Sequence, residues 1–170
     1  MVKGGRIQGV VWDWGDTLMR DIPGHAGPMV GWPHVEAMPG AAAALRALSG
    51  LSVRCVATNA TESDGGQVAE ALDRVDLRTF LTHFLTSSEL GVSKPDPRFF
   101  EEVSRVLGVP TGALLAVGND YQKDIIPAKA VGMITILVSP AEEKIEFPAA
   151  DLVVPSLHDL PDLLGHLLSG

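Results

Sequence analysis

The sequence predicts an α/β protein, a parallel sheet covered by helices on both faces in three layers. Short apolar, β-branched runs alternate with longer stretches rich in Ala, Leu and charged residues, and this alternation implies parallel strands joined by right-handed crossovers. The run at 113–117 has no polar residue, as a strand buried on both faces requires. Gly50, Gly108 and Gly132 stand where helical patterns stop.

The first strand lies in IQGVVWDWGDTL, residues 7–18, whose apolar start breaks at Asp13-Trp14-Gly15-Asp16-Thr17. Residues 19–38 hold Pro23, Gly24, Gly27, Pro28, Gly31 and Pro33 and read as a loop with little regular structure. Pro39 suits a first helical turn, and residues 40–49 form an Ala-rich helix. Residues 53–57 are a second strand, ending at Thr58-Asn59. Residues 61–75 read as a helix with Gln67, Glu70 and Asp73 on its polar side, its start weakened by Gly65-Gly66. A short third strand at 83–86 leads into a polar loop through Lys94, a helix at 97–107 and the fourth strand at 113–117. Residues 123–131 form a helix, but Pro127 is tolerated only in a first turn, which moves the start toward Asp124. A fifth strand at 134–138, a charged exposed segment at 141–150, an edge strand at 152–154 and a helix at 157–168 complete the pattern.

The 170 residues suit one domain spanning 1–170, and 46% apolar with 20% charged residues is ordinary for a globular protein. The net charge of −8, with no basic block, excludes a broad nucleic-acid footprint. The single cysteine, Cys55, excludes a disulfide framework and a cysteine-rich zinc site, and it suits a reducing, cytoplasmic setting. The first apolar run breaks at Asp13, too soon for a signal peptide, and no run approaches the roughly 20 apolar residues of a membrane span.

In open α/β sheets, ligands bind beyond the carboxyl ends of the strands. Those ends carry residues 13–17, Thr58-Asn59, the loop through Lys94 and residues 118–124. Each set has a plain alternative. Asp13 and Asp16 could cap a turn, Thr58-Asn59 could be a turn, Lys94 a solvated lysine and Asp124 a helix N-cap. Four polar sets in this order on one sheet edge favour a site.

The segments VVWDWGDTL, VATN, VSKPDPRFF and VGNDYQKDIIPAKAVGM resemble the four signatures of the haloacid dehalogenase-like hydrolase superfamily, over nearly the whole chain. The resemblance implies a Rossmann-like sheet of order 3-2-1-4-5. It also implies phosphoryl transfer through an aspartyl phosphate on Asp13, with Mg²⁺ offsetting the repulsion between two anions. Asp13 and Asp124 would be carboxylate ligands of that ion and Gly15 would offer its carbonyl. Lys94 would hold Asp13 and the phosphoryl group, while the Thr58 hydroxyl and the Asn59 backbone would donate to phosphate oxygens.

Two positions depart from the family pattern. Gly15 stands where the family carries a general acid/base, whose assistance is typically worth about 10² to 10⁴ in rate. Asp16, or His25 or His34 in the following loop, are the substitutes the sequence offers. Asn119 stands where the family often has an acidic ligand, a role that Asp120 could take over. The loop at 19–38 is too short and too rich in Pro and Gly for the cap domain of many relatives, so the site is expected to be open, with at most a mobile flap. Trp14 and Trp32 could line the opening, or Trp14 could pack against the flap. The chain reads as an Mg²⁺-dependent phosphatase acting on a phosphorylated substrate. The alternative is a binding or regulatory protein with little turnover, and a carbon–halogen or phosphorus–carbon bond hydrolase is a third reading that the missing cap disfavours. Capless relatives tend to take large substrates or to close the site by forming a homo-oligomer.

Overall fold

The computed structural model describes residues 6–140 and 145–168. Residues 141–144 of the expected charged segment lie outside the described residues. Six parallel strands form one sheet in the order β3-β2-β1-β4-β5-β6. They are β1 (Gly9–Trp12), β2 (Val53–Thr58), β3 (His83–Thr86), β4 (Leu114–Gly118), β5 (Ile134–Val138) and β6 (Leu152–Val154). The expected order is present, with β6 added at the edge.

Alternate residues of the strands face opposite layers. Val10, Trp12, Val56, Leu115 and Val117 pack with α1 (Ala41–Ala47), α2 (Gly65–Asp73) and α6 (Leu160–Leu168). Val11, Cys55, Ala57, Leu114 and Ala116 pack with α4 (Arg98–Leu107) and α5 (Ile126–Ala130). In α4 the side chains of Phe99, Val103 and Leu107 recur every fourth residue and are buried with Phe100. Each contributes about 1.5–3 kcal/mol relative to exposure. Gly108 takes the left-handed conformation that closes this helix.

Local chemistry moves several expected boundaries. The helix expected at 61–75 begins at Gly65, because Asp64 accepts the Gln67 N–H and the Gln67 side chain accepts the Asp64 N–H. Residues 61–63 are thereby left for the loop beyond β2. A second capping box, Thr86 with Glu89, starts the short helix α3 (Ser87–Leu90) inside the segment expected to be a polar loop. The helix expected near Asp124 begins with a π turn at Tyr121–Ile125, and α5 follows with Pro127 in its first turn. Residues 111–113, partly assigned to the fourth strand, are a 3₁₀ turn.

Asp151, just before β6, accepts from Lys129 Nζ at 2.6 Å and from the Thr135 N–H at 2.9 Å. Burial raises its pKa, but the donors from Lys129 and Thr135 more than offset this and hold it below the ordinary carboxylate value. A lowered pKa means the stabilisation is complete above the unfolded-state value of about 4 and is lost as pH falls below it. Asp151→Asn should therefore cost about 1 kcal/mol at pH 7. Urea midpoints should show wild type and variant converging as the pH falls toward the acid limb.

Candidate active site

Trp12, the last residue of β1, lies opposite Val56 of β2 and Val117 of β4, one or two residues before those strands end. The Asp13 N–H donates to Val117 O at 2.9 Å, so backbone pairing positions Asp13 at the sheet edge. Lys94 arrives from the loop after α3. Its Nζ lies 2.8 Å from Asp13 Oδ1, 2.8 Å from Asp124 Oδ1 and 3.2 Å from Ala57 O. Side-chain exposure is 3% for Lys94, 5% for Asp124 and 14% for Asp13. The ammonium is enclosed, while the Asp13 carboxylate keeps an opening to solvent.

The structure brings Asp13, Thr58, Asn59, Lys94, Asn119, Asp120 and Asp124 to one pocket of about 420 Å³, with Gly15 and Asp16 on its wall. Several of these do more specific work than expected. The Asn59 side chain accepts the Lys94 N–H and donates to Lys94 O, both at 2.8 Å, so it positions the lysine's backbone. Thr58 Oγ accepts the Ala60 N–H at 3.1 Å. Asp120, not Asp124, is the helix cap: its Oδ1 accepts the N–H groups of Gln122 and Lys123. Asp124 Oδ2 accepts the Asp120 N–H at 3.0 Å, and the π turn carries the carboxylate inward to Lys94.

Thr17 escaped the sequence reading as a site residue. It is buried, and its Oγ lies 2.9 Å from Asp13 Oδ2 and 3.1 Å from Asn119 Oδ1, so one hydroxyl joins the first and fourth segments. Its place closing the Asp-x-x-x-Thr spacing was the available signal. Glu62, Ser63, Lys123 and Asp21 also line the pocket, and nothing in their local sequence marks them.

His25 and His34 are not among the pocket-lining residues. His25 stacks on Trp32 with ring centroids 4.9 Å apart, and exposed His34 pairs with Glu36 at 3.3 Å. Asp16 adopts φ 58° and its Oδ1 accepts the Asp21 N–H at 3.0 Å. Trp14 and Trp32 both reach the pocket and both are buried. The loop at 19–38, expected to be at most a flap, makes hydrogen bonds at both ends and in its middle. Its ends pair through Arg20 N–H to Glu36 O at 3.0 Å and Met38 N–H to Leu18 O at 2.8 Å. Arg74 Nη1 donates to Val30 O and Trp32 O at 2.9 and 2.7 Å.

Burial would lower the Lys94 pKa, but the charges of Asp13 and Asp124 more than offset this and raise it. Burial and the Asp13 charge push Asp124 up to about 6, against the opposing pull of Lys94. Two carboxylates on one ammonium leave a formal excess of negative charge, a setting that favours a further cation. Among the described residues no three His, Cys, Asp or Glu side chains are grouped to hold a metal by themselves. No described helix is long and apolar enough to cross a membrane.

Gly118 ends β4 directly against Asp124, and a Cβ there would overlap the Asp124 side chain. Gly118→Ala is expected to cost about 1–3 kcal/mol by overpacking and to lower activity by displacing Asp124. Melting curves and turnover of the same preparation test this together.

The model of the family described as haloacid dehalogenase-like hydrolase matches residues 25–132. The chain is 38% identical over 102 residues to haloacid dehalogenase-like hydrolase domain-containing protein 3 of Bos taurus, covering 60% of this chain and 39% of that protein. It is 32% identical over 100 residues to a glyceraldehyde 3-phosphate phosphatase of Methanocaldococcus jannaschii, covering 58% of this chain and 44% of that one. The chain thus spans about two-fifths of the length of these curated relatives. A protein of known structure from Listeria monocytogenes serotype 4b superposes with a TM-score of 0.79 at 25% identity, covering 96% of this chain and 99% of its own.

Proposed function

The chain belongs to the haloacid dehalogenase-like hydrolase family, and from that premise we propose that it is an Mg²⁺-dependent phosphatase in which Asp13 attacks phosphorus. The observation that carries this reading is the enclosed Lys94 ammonium, 2.8 Å from both Asp13 and Asp124 in the lining of the pocket. A carboxylate held by a fixed cation beside an open cavity suits nucleophilic attack on a phosphate ester. The phosphatase named among its relatives supports the same class.

The donors available fit Mg²⁺, which prefers oxygen ligands and completes its shell with water and phosphate. Asp13 and Asp124 would supply carboxylates and Gly15 its carbonyl, with Asn119 Oδ1 within reach of the same cluster through Thr17. When bound, the ion would offset phosphate charge as the nucleophile approaches. The remaining work falls to the chain. Lys94 orients Asp13 and balances charge, and the Thr17 hydroxyl fixes the second Asp13 oxygen. The Thr58 hydroxyl, which accepts the Ala60 N–H, retains its own proton for a phosphate oxygen, and the Asn59 backbone N–H supplies a second donor. The substrate is a phosphorylated compound whose leaving group occupies the space between the 19–38 loop and residues 61–63. The buried Cys55 thiol, its pKa raised by burial, suits a reducing, cytoplasmic setting.

Gly15 favours a second reading, a binding protein with little turnover. A panel of phosphate esters assayed with Mg²⁺ and with chelator separates the two. Metal-dependent phosphate release from any member supports the phosphatase. Tight binding of phosphate compounds without release supports the binding protein.

A further inference from the structure

We propose that Asp21, contributed by the loop after β1, serves as the general acid and base that Gly15 cannot be. The role rests on the phosphatase reading above.

The structure shows where a side chain at position 15 would lie. A Cβ built on Gly15 has one non-neighbouring residue within 4 Å, and it is Asp21, with Cβ to Cβ 3.8 Å. The Asp21 side chain therefore starts beside the place where a side chain of residue 15 would start, and Asp21 lines the same pocket as Asp13, Lys94 and Asp124. The chain returns there by a built turn. Trp14 O accepts the N–H groups of Thr17, Leu18 and Met19, and Asp16 N–H donates to Met19 O. Asp16, in the left-handed conformation, then accepts the Asp21 N–H at 3.0 Å. Arg20 N–H donates to Glu36 O at 3.0 Å, so the segment is held on both sides. Asp16 spends an oxygen on this support, which makes it the positioning residue. The Asp21 carboxyl enters no ion pair among the described residues. It is exposed at the pocket wall, so water can reload it.

An Asp13 oxygen forms a bond to phosphorus as the ester P–O bond breaks, and the departing oxygen keeps that electron pair and takes the proton of the Asp21 carboxyl. The Asp21 carboxylate then removes a proton from a water whose oxygen attacks the phosphorus. The Asp13–phosphorus bond breaks, Asp13 recovers its carboxylate, and inorganic phosphate leaves.

The test compares kcat/KM, which reports leaving-group expulsion, for an alkyl phosphate and for p-nitrophenyl phosphate, whose phenolate departs without a proton. Asp21→Asn keeps the main-chain bond to Asp16. It should lower kcat/KM for the alkyl ester by about 10²-fold or more and lower that for the aryl ester by a much smaller factor. Gly15→Asp placed in the Asp21→Asn background should recover the alkyl ester, since the added Cβ meets no other residue. Asp13-dependent turnover in which Asp21→Asn affects both esters equally, or neither, overturns the assignment to Asp21 alone. So does a leaving-group-selective loss that follows Asp16→Asn instead. Absence of Asp13-dependent turnover of either ester overturns the phosphatase reading, and the role of Asp21 with it.

Discussion

Asp13→Asn should remove hydrolysis of every phosphate ester the protein accepts, by at least about 10³-fold, while leaving the fold intact. The two outcomes separate because asparagine can satisfy the same partners. Its amide oxygen can accept from Lys94 Nζ as Oδ1 does now, and its NH₂ can donate to Thr17 Oγ, whose proton then goes wholly to Asn119 Oδ1. The substitution also removes one of the two negative charges around Lys94. The Asp13 charge is one of the causes that raise Asp124, so the Asp124 pKa should fall. Thermal stability without metal is expected to match or exceed wild type. Activity unchanged in a folded Asp13→Asn protein would remove Asp13 as nucleophile.

Lys94→Met should be the most destabilising single change at the site. It removes the ammonium shared by Asp13 and Asp124 and leaves two carboxylates facing each other, one of them enclosed. Removing one partner from a buried ionic group costs about 3–5 kcal/mol. The cost depends on pH. Asp124 is already raised to about 6 with Lys94 present, and the Lys94 charge is what holds it down; without it the pKa rises further. A carboxylate raised above its unfolded value destabilises the fold at neutral pH, and this destabilisation fades as pH falls through the folded value. Denaturant midpoints at pH 7.5 and pH 5 should therefore show a larger gap between variant and wild type at the higher pH. Added Mg²⁺ should narrow the gap at pH 7.5 if it binds the two carboxylates. A gap that is small and independent of pH would show that the Lys94 bridge contributes little.

Much of the fold was legible because parallel strands buried on both faces have a strong signature. The runs at β4 and β5 are strands, and α4 stops at Gly108 as expected, whereas α1 ends at Ala47, before Gly50 is reached. Legibility failed where side-chain to backbone bonds decide a boundary. Asp64 with Gln67 delays α2 until Gly65, and Asp120 starts a π turn rather than an α turn. Both shifts lie at the pocket, where they leave residues 61–63 as its wall and direct Asp124 toward Lys94.

From the sequence alone came the residue types, their order along the chain, and their placement at strand ends. That follows from the period of the apolar pattern and from the turn residues that break it. The tertiary structure decided which of these groups touch. Lys94 and Asp13 are 81 residues apart, and Thr17 and Asn119 are 102 apart, so their contacts depend on register between strands that no local pattern encodes. It also decided which groups the loop after β1 bonds to, and that Asp21 lies beside Gly15. A proline- and glycine-rich stretch reads as irregular, and only its long-range partners, Arg74 and Glu36 among them, give it a fixed course.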